Sequence, residues 1–248
     1  MRIAVLCDIH GNLPALQAAL AELEKAGVDL VVFGGDVAAG PMPVETIEVL
    51  AGYSGPARFV RGNADRQMVA SFDGRPRAGN PSDLWLASML NRTHRDFLST
   101  FEPSVEVEVD GLGVVVCCHA GLDSDEVPII TPATPDDVIV EAVAAAHGNL
   151  VVAGHTHMQF DRRVAGGRMV NAGSVGKPYA DEPGAYWALL GPEVQFRRTA
   201  YDFAAAADAV RTTAIPQREE WAADVVRPPT AEEAITVFEK MAGRPYPR

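Results

Sequence analysis

The chain predicts an α/β fold with a mostly parallel sheet, and three observations carry that prediction. Short apolar runs alternate with helical periodicity over the first 60 residues. Each of those runs stops at a polar segment bearing glycine. From residue 105 the pattern turns to β and stays so to about residue 200.

Residues 3–7 are continuously apolar, as a buried strand is. A helical pattern follows, with Leu13, Leu16, Ala19, Leu20 and Leu23 on one face. Pro14 lies in its first turn and Gly27 closes it. Residues 30–33 predict a second buried strand, ended by Gly34 and Gly35. Residues 44–50 predict a second helix after the Pro41/Pro43 turn, and residues 58–60 a third strand stopped by Gly62. Residues 71–104 break the rhythm. Gly74, Pro76, Gly79 and Pro81 make a loop, and two short helical patterns follow around 84–90 and 95–101. That stretch is expected either to wall the site or to be a packed surface excursion. Val105, Val107 and Val109 alternate with Glu106 and Glu108, which suits a half-exposed strand, and Asp110–Gly111 turns the chain into a strand at 114–118. Further strands are expected at 150–153, 160–164, 168–170, 185–190 and 194–200, with a hairpin turn at Gly166–Gly167. Residues 202–211 read as an alanine-rich helix. The polar tail beyond Pro216 holds one more helix, about 231–241.

Composition sets the outer bounds. The 248 residues are 48% hydrophobic and 22% charged, enough for a sizeable core. A formal net charge of −12 argues against long nucleic acid or an anionic membrane as partner. Cys7, Cys117 and Cys118 fall inside apolar runs and are expected to be reduced core thiols. The first ten residues are too short and polar for a signal peptide, and no run approaches the ~18 apolar residues of a membrane span. The expected location is cytoplasmic.

The chemistry is concentrated in short segments placed where strands should end. They are Asp8 and His10 in DIHGN, Asp36 in GGDV, Asn63 in RGNAD, His119 in CCHAG, and His155 with His157 in GHTH. Ligands bind beyond the carboxyl ends of the strands in open α/β sheets. The i, i+2 spacing of Asp8/His10 and of His155/His157 is expected to aim each pair to one side of an extended segment. Gly34, Gly35, Gly62 and Gly154 are expected to allow the sharp turns. Seven such side chains suffice for two divalent ions, which together form a hydrolytic centre for phosphate esters. Two aspartates set against two divalent ions and a hydroxide would leave about +1, a trap for phosphate on an acidic protein.

In the order DIHGN, GGDV, GNAD, CHAG, GHTH and NAGSVGKP, residues 6–178 resemble the calcineurin-like metallophosphoesterases. They are most similar to the small bacterial and archaeal phosphodiesterase branch. The resemblance implies a four-layer α/β/β/α sandwich, formed by a single domain. Its core would span about 1–200, with a C-terminal helical extension over about 201–248. It implies that Asp8, His10 and His157 hold one metal, that Asn63, His119 and His155 hold the other, and that Asp36 bridges them about 3.5–4 Å apart. Asp36, Asn63 and His119 would be the catalytic group, with attack by a bridging hydroxide. The ions implied are Mn2+ first, then Fe, Zn, Ni or Co.

The chain departs from the wider family at Ala64, where many members carry a histidine that protonates the leaving group. General-acid help is typically worth about 10²–10⁴-fold, so good leaving groups are expected to be favoured. The departure fits the phosphodiesterase branch. Candidate substrate contacts are Asn12, Arg66 and His94, with Lys177 a further phosphate contact. Asn12 is equally suited to capping the next helix. Asp65 is expected to orient a loop, and Asn171, Ser174 and Gly176 to close the floor under the site. The expected partner is a small phosphodiester or nucleotide-like ester. The alternatives are a Ser/Thr protein phosphatase-like phosphomonoesterase and a non-catalytic metal-binding protein on the same fold.

Overall fold

A computed structural model describes residues 1–78, 80–147 and 149–244; Gly79 of the predicted loop and the last residues of the predicted extension lie outside them. In chain order the elements are β1 (Ile3–Leu6), α1 (Leu13–Ala26), β2 (Leu30–Phe33), α2 (Pro43–Ala51), β3 (Ala57–Phe59) and α3 (Asn63–Phe72). Then come α4 (Pro81–Met89), α5 (Arg92–Ser99), β4 (Ser104–Val109), β5 (Gly113–Cys118), α6 (Asp136–Ala144) and β6 (Leu150–Ala153). The remainder are β7 (Phe160–Val164), β8 (Gly167–Asn171), β9 (Ala185–Leu190), β10 (Val194–Thr199), α7 (Phe203–Thr212), α8 (Arg218–Val226) and α9 (Ala231–Met241).

Two five-stranded sheets form, in the orders β10-β9-β1-β2-β3 and β4-β5-β6-β8-β7. The expectation of a mostly parallel sheet needs correction. β1–β2, β2–β3, β5–β6 and β6–β8 pair parallel, whereas β1–β9, β9–β10, β4–β5 and β7–β8 pair antiparallel. Both sheets are mixed because the later strands return as hairpins, which need only a short turn.

The layering follows from which side chains alternate strands expose. Ile3, Val5, Cys7, Val32, Ala188 and Leu190 of the first sheet pack against Val105, Val107, Val115, Cys117, Val152 and Val170 of the second. The opposite face of the first sheet, with Ala4, Leu6, Val31, Phe33 and Trp187, packs on Leu16, Ile47, Met68, Leu86 and Leu98 of the helices. The outer face of the second sheet buries Val116, Val151 and Met169 under Ile139 and Val143 of α6. Helices, sheet, sheet and helices make a four-layer α/β/β/α sandwich. The cysteines are buried and free, so they serve as small core side chains.

Three helices were not legible in the sequence. α3 begins within the GNAD segment, α6 is rich in β-branched residues, and α8 lies in the polar tail. The 71–104 excursion packs Leu86, Leu90, Leu98 and Phe101 into the helix-side core. None of the described helices is long and apolar enough to cross a membrane.

Candidate metal centre

The parallel strands β1, β2, β3, β5 and β6 deliver their chain ends to one rim, and the seven candidate ligands follow those ends. Asp8, His10 and His157 come together with one ligand atom each within 4.8 Å of one another. So do Asp8, Asp36 and His119. His157 Nε2 lies 3.2 Å from Asp8 Oδ1 and 3.2 Å from His10 Nε2. Asp36 Oδ2 stands between the two groups, 3.8 Å from His10 Nε2 and 3.5 Å from His119 Nε2. Asn63 Oδ1 is 3.2 Å from His119 Nε2. His155 sits beside His119, their ring centroids 5.2 Å apart. Asp8 and His119 form a sealed floor at 0% exposure, while His10, Asn63 and His155 are part-exposed at the rim.

The pairs do not point together by extension, as the i, i+2 spacing suggested. Among the described residues seven non-glycine residues have positive φ, and five are candidate ligands: Asp8, His10, Asp36, His155 and His157. Left-handed backbone costs a non-glycine residue about 1 kcal/mol or more, so its concentration here marks a site whose surroundings over-determine it. The glycines also act differently from expectation. Gly35 does adopt positive φ (+92°). Gly62 and Gly154 instead give clearance: a Cβ on Gly62 would press into the Asp36 carboxylate, and one on Gly154 into that of Asp8.

Hydrogen bonds set the tautomers. The Nδ1 atoms of His10, His119 and His157 contact the carbonyls of Ala39, Gly34 and Lys177 at 3.0, 2.9 and 2.6 Å. A carbonyl only accepts, so each Nδ1 carries the proton and each Nε2 turns its lone pair inward. Asp8 Oδ2 accepts the His155 N–H, but Asp8 Oδ1 is buried with no hydrogen-bond partner. Asp36 Oδ1 accepts the Ala64 N–H. Inward lone pairs facing a buried, orphaned carboxylate oxygen need a cation between them, so this donor set fits divalent metal ions.

The electrostatics divide the rings into two kinds. Burial works against charge on His119, but Asp36 and then Asp8 outweigh it and push the ring up to about 10. Burial opposes the Asp36 charge as well, yet His119 beside it holds that carboxyl well below the usual range. Burial and then His157 push His10 down to about 4, and burial and then His119 push His155 down to about 4. Neutral imidazoles are the metal-ligating form, which His10 and His155 already hold, whereas His119 between two carboxylates carries an Nε2 proton that a bound ion would displace.

Behind the ligands lies a frame of buried polar groups. Asp65 accepts the N–H groups of Asp36, Val37 and Gly62 at 2.8, 3.0 and 2.9 Å, tying the Asp36 loop to the start of α3. Burial, then Asp36, raise Asp65 to about 7, with those N–H donors opposing. Ser174 donates to the Asp8 carbonyl, and Asn171 donates to Gly154 O and Thr156 Oγ1.

The structure places the candidate substrate contacts as follows. Asn12 caps α1 through Ala15 and donates to Gly176 O and Tyr201 Oη. Arg66 is paired with Asp125 and Glu126, so the acidic loop after His119 engages this arginine. His94 sits in the cap of α5, its Nδ1 accepting the Asn91 N–H, with Glu48 3.9 Å from Nε2. Two aromatic neighbours carried no signal in the sequence. Tyr179 stacks on His157 with centroids 5.1 Å apart, and Trp221 of α8 lies 6.4 Å from the His10 ring.

The sequence and the fold both resemble those of known proteins. The sequence is 28% identical over 194 residues to an uncharacterized protein of Methanocaldococcus jannaschii, covering 77% of this chain and 74% of that one. The fold is similar to that of a hypothetical protein from Pyrococcus horikoshii, with TM-score 0.77 and 21% identity over 92% of this chain and 99% of that one. It is also similar to a metallophosphoesterase from Sphaerobacter thermophilus, with TM-score 0.71 and 25% identity over 91% and 98% of the two chains. Residues 1–191 match the family model of the calcineurin-like phosphoesterase superfamily domain. The chain therefore belongs to the calcineurin-like phosphoesterase superfamily.

Proposed function

We propose that the protein is a dinuclear metal-dependent phosphodiesterase acting on a small phosphodiester or a nucleotide-like ester. The observation that carries the reading is the orphaned Asp8 Oδ1 facing inward-turned histidine nitrogens, with Asp36 Oδ2 between His10 and His119. Asp8, His10 and His157 would hold one ion, Asn63, His119 and His155 the other, and Asp36 would contact both. Mn2+ is the ion we propose first, and the mixed imidazole, carboxylate and amide donors would also accept Fe, Zn, Ni or Co. Bound ions supply Lewis acidity toward phosphoryl oxygens and make water a nucleophile near neutral pH.

The chain's own residues do the rest. Asp36 has one oxygen held by the Ala64 N–H, which leaves the other free to ligate. The three carbonyls on Nδ1 keep the imidazoles in the ligating tautomer, and Asp65 keeps the Asp36 loop from drifting. Ala64 offers no side-chain acid to the leaving group, which favours esters of acidic alcohols and phenols.

The test is hydrolysis of bis-p-nitrophenyl phosphate beside p-nitrophenyl phosphate by chelated protein, with Mn2+ returned or withheld. Metal-dependent turnover favouring the diester is expected, and Asp36→Asn or His155→Ala should abolish it with the fold intact. Equal turnover without metal, or unchanged turnover in either variant, refutes the centre. Preference for the monoester refutes the diesterase reading alone.

A further inference from the structure

The family match ends at residue 191, yet the chain beyond it reaches back to the metal centre at three points. Tyr201 accepts a hydrogen bond from Asn12. Phe238 of α9 packs on Tyr179, which in turn stacks on His157. Trp221 of α8 stands beside His10, and the ammonium of Lys177 lies 4.2 Å from the centre of its ring.

Lys177 is unlike the other cations of this molecule. The chain has three lysines, and Lys25 and Lys240 are exposed on helices, whereas Lys177 is half-buried. Arg61 and Arg66, near the rim on the far side, are already paired with Asp125. Among the described residues no carboxylate forms an ion pair with Lys177, although Asp224 and then Glu220 of α8 act on its charge at longer range. Its backbone carbonyl accepts the Nδ1 proton of His157, so the residue is anchored to a candidate ligand at one end and to the tail at the other. Its charge is also felt at His10. A partly desolvated ammonium on an aromatic face, without a carboxylate partner, is a ready anion contact.

Among the described residues no candidate ligand hydrogen-bonds the Lys177 ammonium, which rests 4.2 Å from the centre of the Trp221 ring, itself 6.4 Å from the His10 ring. It is therefore placed for a group next to the reacting phosphate rather than for that phosphate itself. We propose that Lys177, held on Trp221 by the C-terminal helix α8, binds a second phosphate of the substrate, so that the site prefers nucleotide esters with two adjacent phosphates over those with one. This rests on the phosphoesterase reading above. In this role Lys177 touches substrate, and Trp221 is a positioning residue.

The test is binding by calorimetry to Mn2+-loaded protein in excess Mn2+, with AMP as the one-phosphate probe and α,β-methylene-ADP as the two-phosphate probe. Wild type should bind the two-phosphate probe about tenfold more tightly, the worth of one charge-assisted contact. Lys177→Met should remove that gap with metal content unchanged, Lys177→Arg should keep it, and Trp221→Leu should shrink it. Equal affinities in wild type, no binding of either probe, or a gap untouched by Lys177→Met would each overturn the proposal. Hydrolysis of bis-p-nitrophenyl phosphate, run alongside, tells this failure from failure of the phosphoesterase reading. Turnover without a gap sinks the subsite alone, and a gap without turnover sinks the activity and leaves the subsite.

Discussion

Asp8→Asn separates a residue that holds metal from one that holds the fold. Asp8 is fully buried. Its Oδ2 accepts the His155 N–H at 2.9 Å, while its Oδ1 has no partner and faces His157 Nε2 at 3.2 Å. A buried acceptor without a partner costs about 1–3 kcal/mol. Asparagine can keep its oxygen on the His155 N–H and place its amide nitrogen at the orphaned position, where it donates to His157 Nε2. Some of that gain is offset, because the Asp8 carboxylate also attracts the His119 ring 3.9 Å away. Burial opposes the Asp8 charge, but the His157 and His119 rings outweigh it and hold the carboxyl below its usual range, so in chelated protein the gain and the loss oppose and the variant should stay within about 1 kcal/mol of wild type. With Mn2+ the two proteins separate. Wild type gains about 2.7 kcal/mol at a hundredfold excess over Kd, and the variant, short of an anionic ligand, gains far less. Urea unfolding followed by circular dichroism, with chelator and with Mn2+, reads both states. A loss of more than about 1 kcal/mol by the variant in chelator would refute the reasoning, since Asp8 would then be structural first.

Two further outcomes follow from the packing. Gly62→Ala has an unstrained φ of −91°, but its Cβ would lie 2.9 Å from Asp36 Cγ and closer still to the carboxylate oxygen. We expect a loss of about 2 kcal/mol in urea unfolding together with reduced Mn2+ content by elemental analysis; full metal content would show that Asp36 can shift freely. Glu239 is buried on α9, where it accepts from Thr131, Thr134 and Arg244. Burial opposes its charge, but Arg244 and the two threonines outweigh it and hold the carboxyl below its usual 4.5. A lowered folded value means stability that is present above 4.5 and lost as pH falls through the lower value. Wild type should thus lose more stability than Glu239→Gln between roughly pH 5 and pH 3, and the variant should be about 2 kcal/mol weaker at neutral pH. Parallel acid limbs in the two proteins would count against this tether.

Most strands were legible because a short apolar run between glycine-bearing segments is a local signal. The run at Leu30–Phe33 and the alternation at Val105–Val109 correspond to β2 and β4 with little change. The helix α6 was not legible, since DDVIVEAVA is rich in residues suited equally to a strand. Nor did β1 reveal which face it turns where: Ile3 and Val5 meet the second sheet while Ala4 and Leu6 meet the helices, and all four are apolar.

By itself the sequence determined which chemistry is available, because ligating power is a property of residue type and the segments follow strand ends that are locally encoded. Only the tertiary structure decided how that chemistry is aimed. The left-handed backbone at Asp8, His10, Asp36, His155 and His157 is imposed by surrounding contacts against the preference of those residues. The carbonyls that select each imidazole tautomer come from Gly34, Ala39 and Lys177, distant in the chain from the rings they hold. Trp221 reaches His10 across more than 200 residues through helices with no motif of their own. Such contacts leave no periodicity in the chain, since they arise from where separate elements meet.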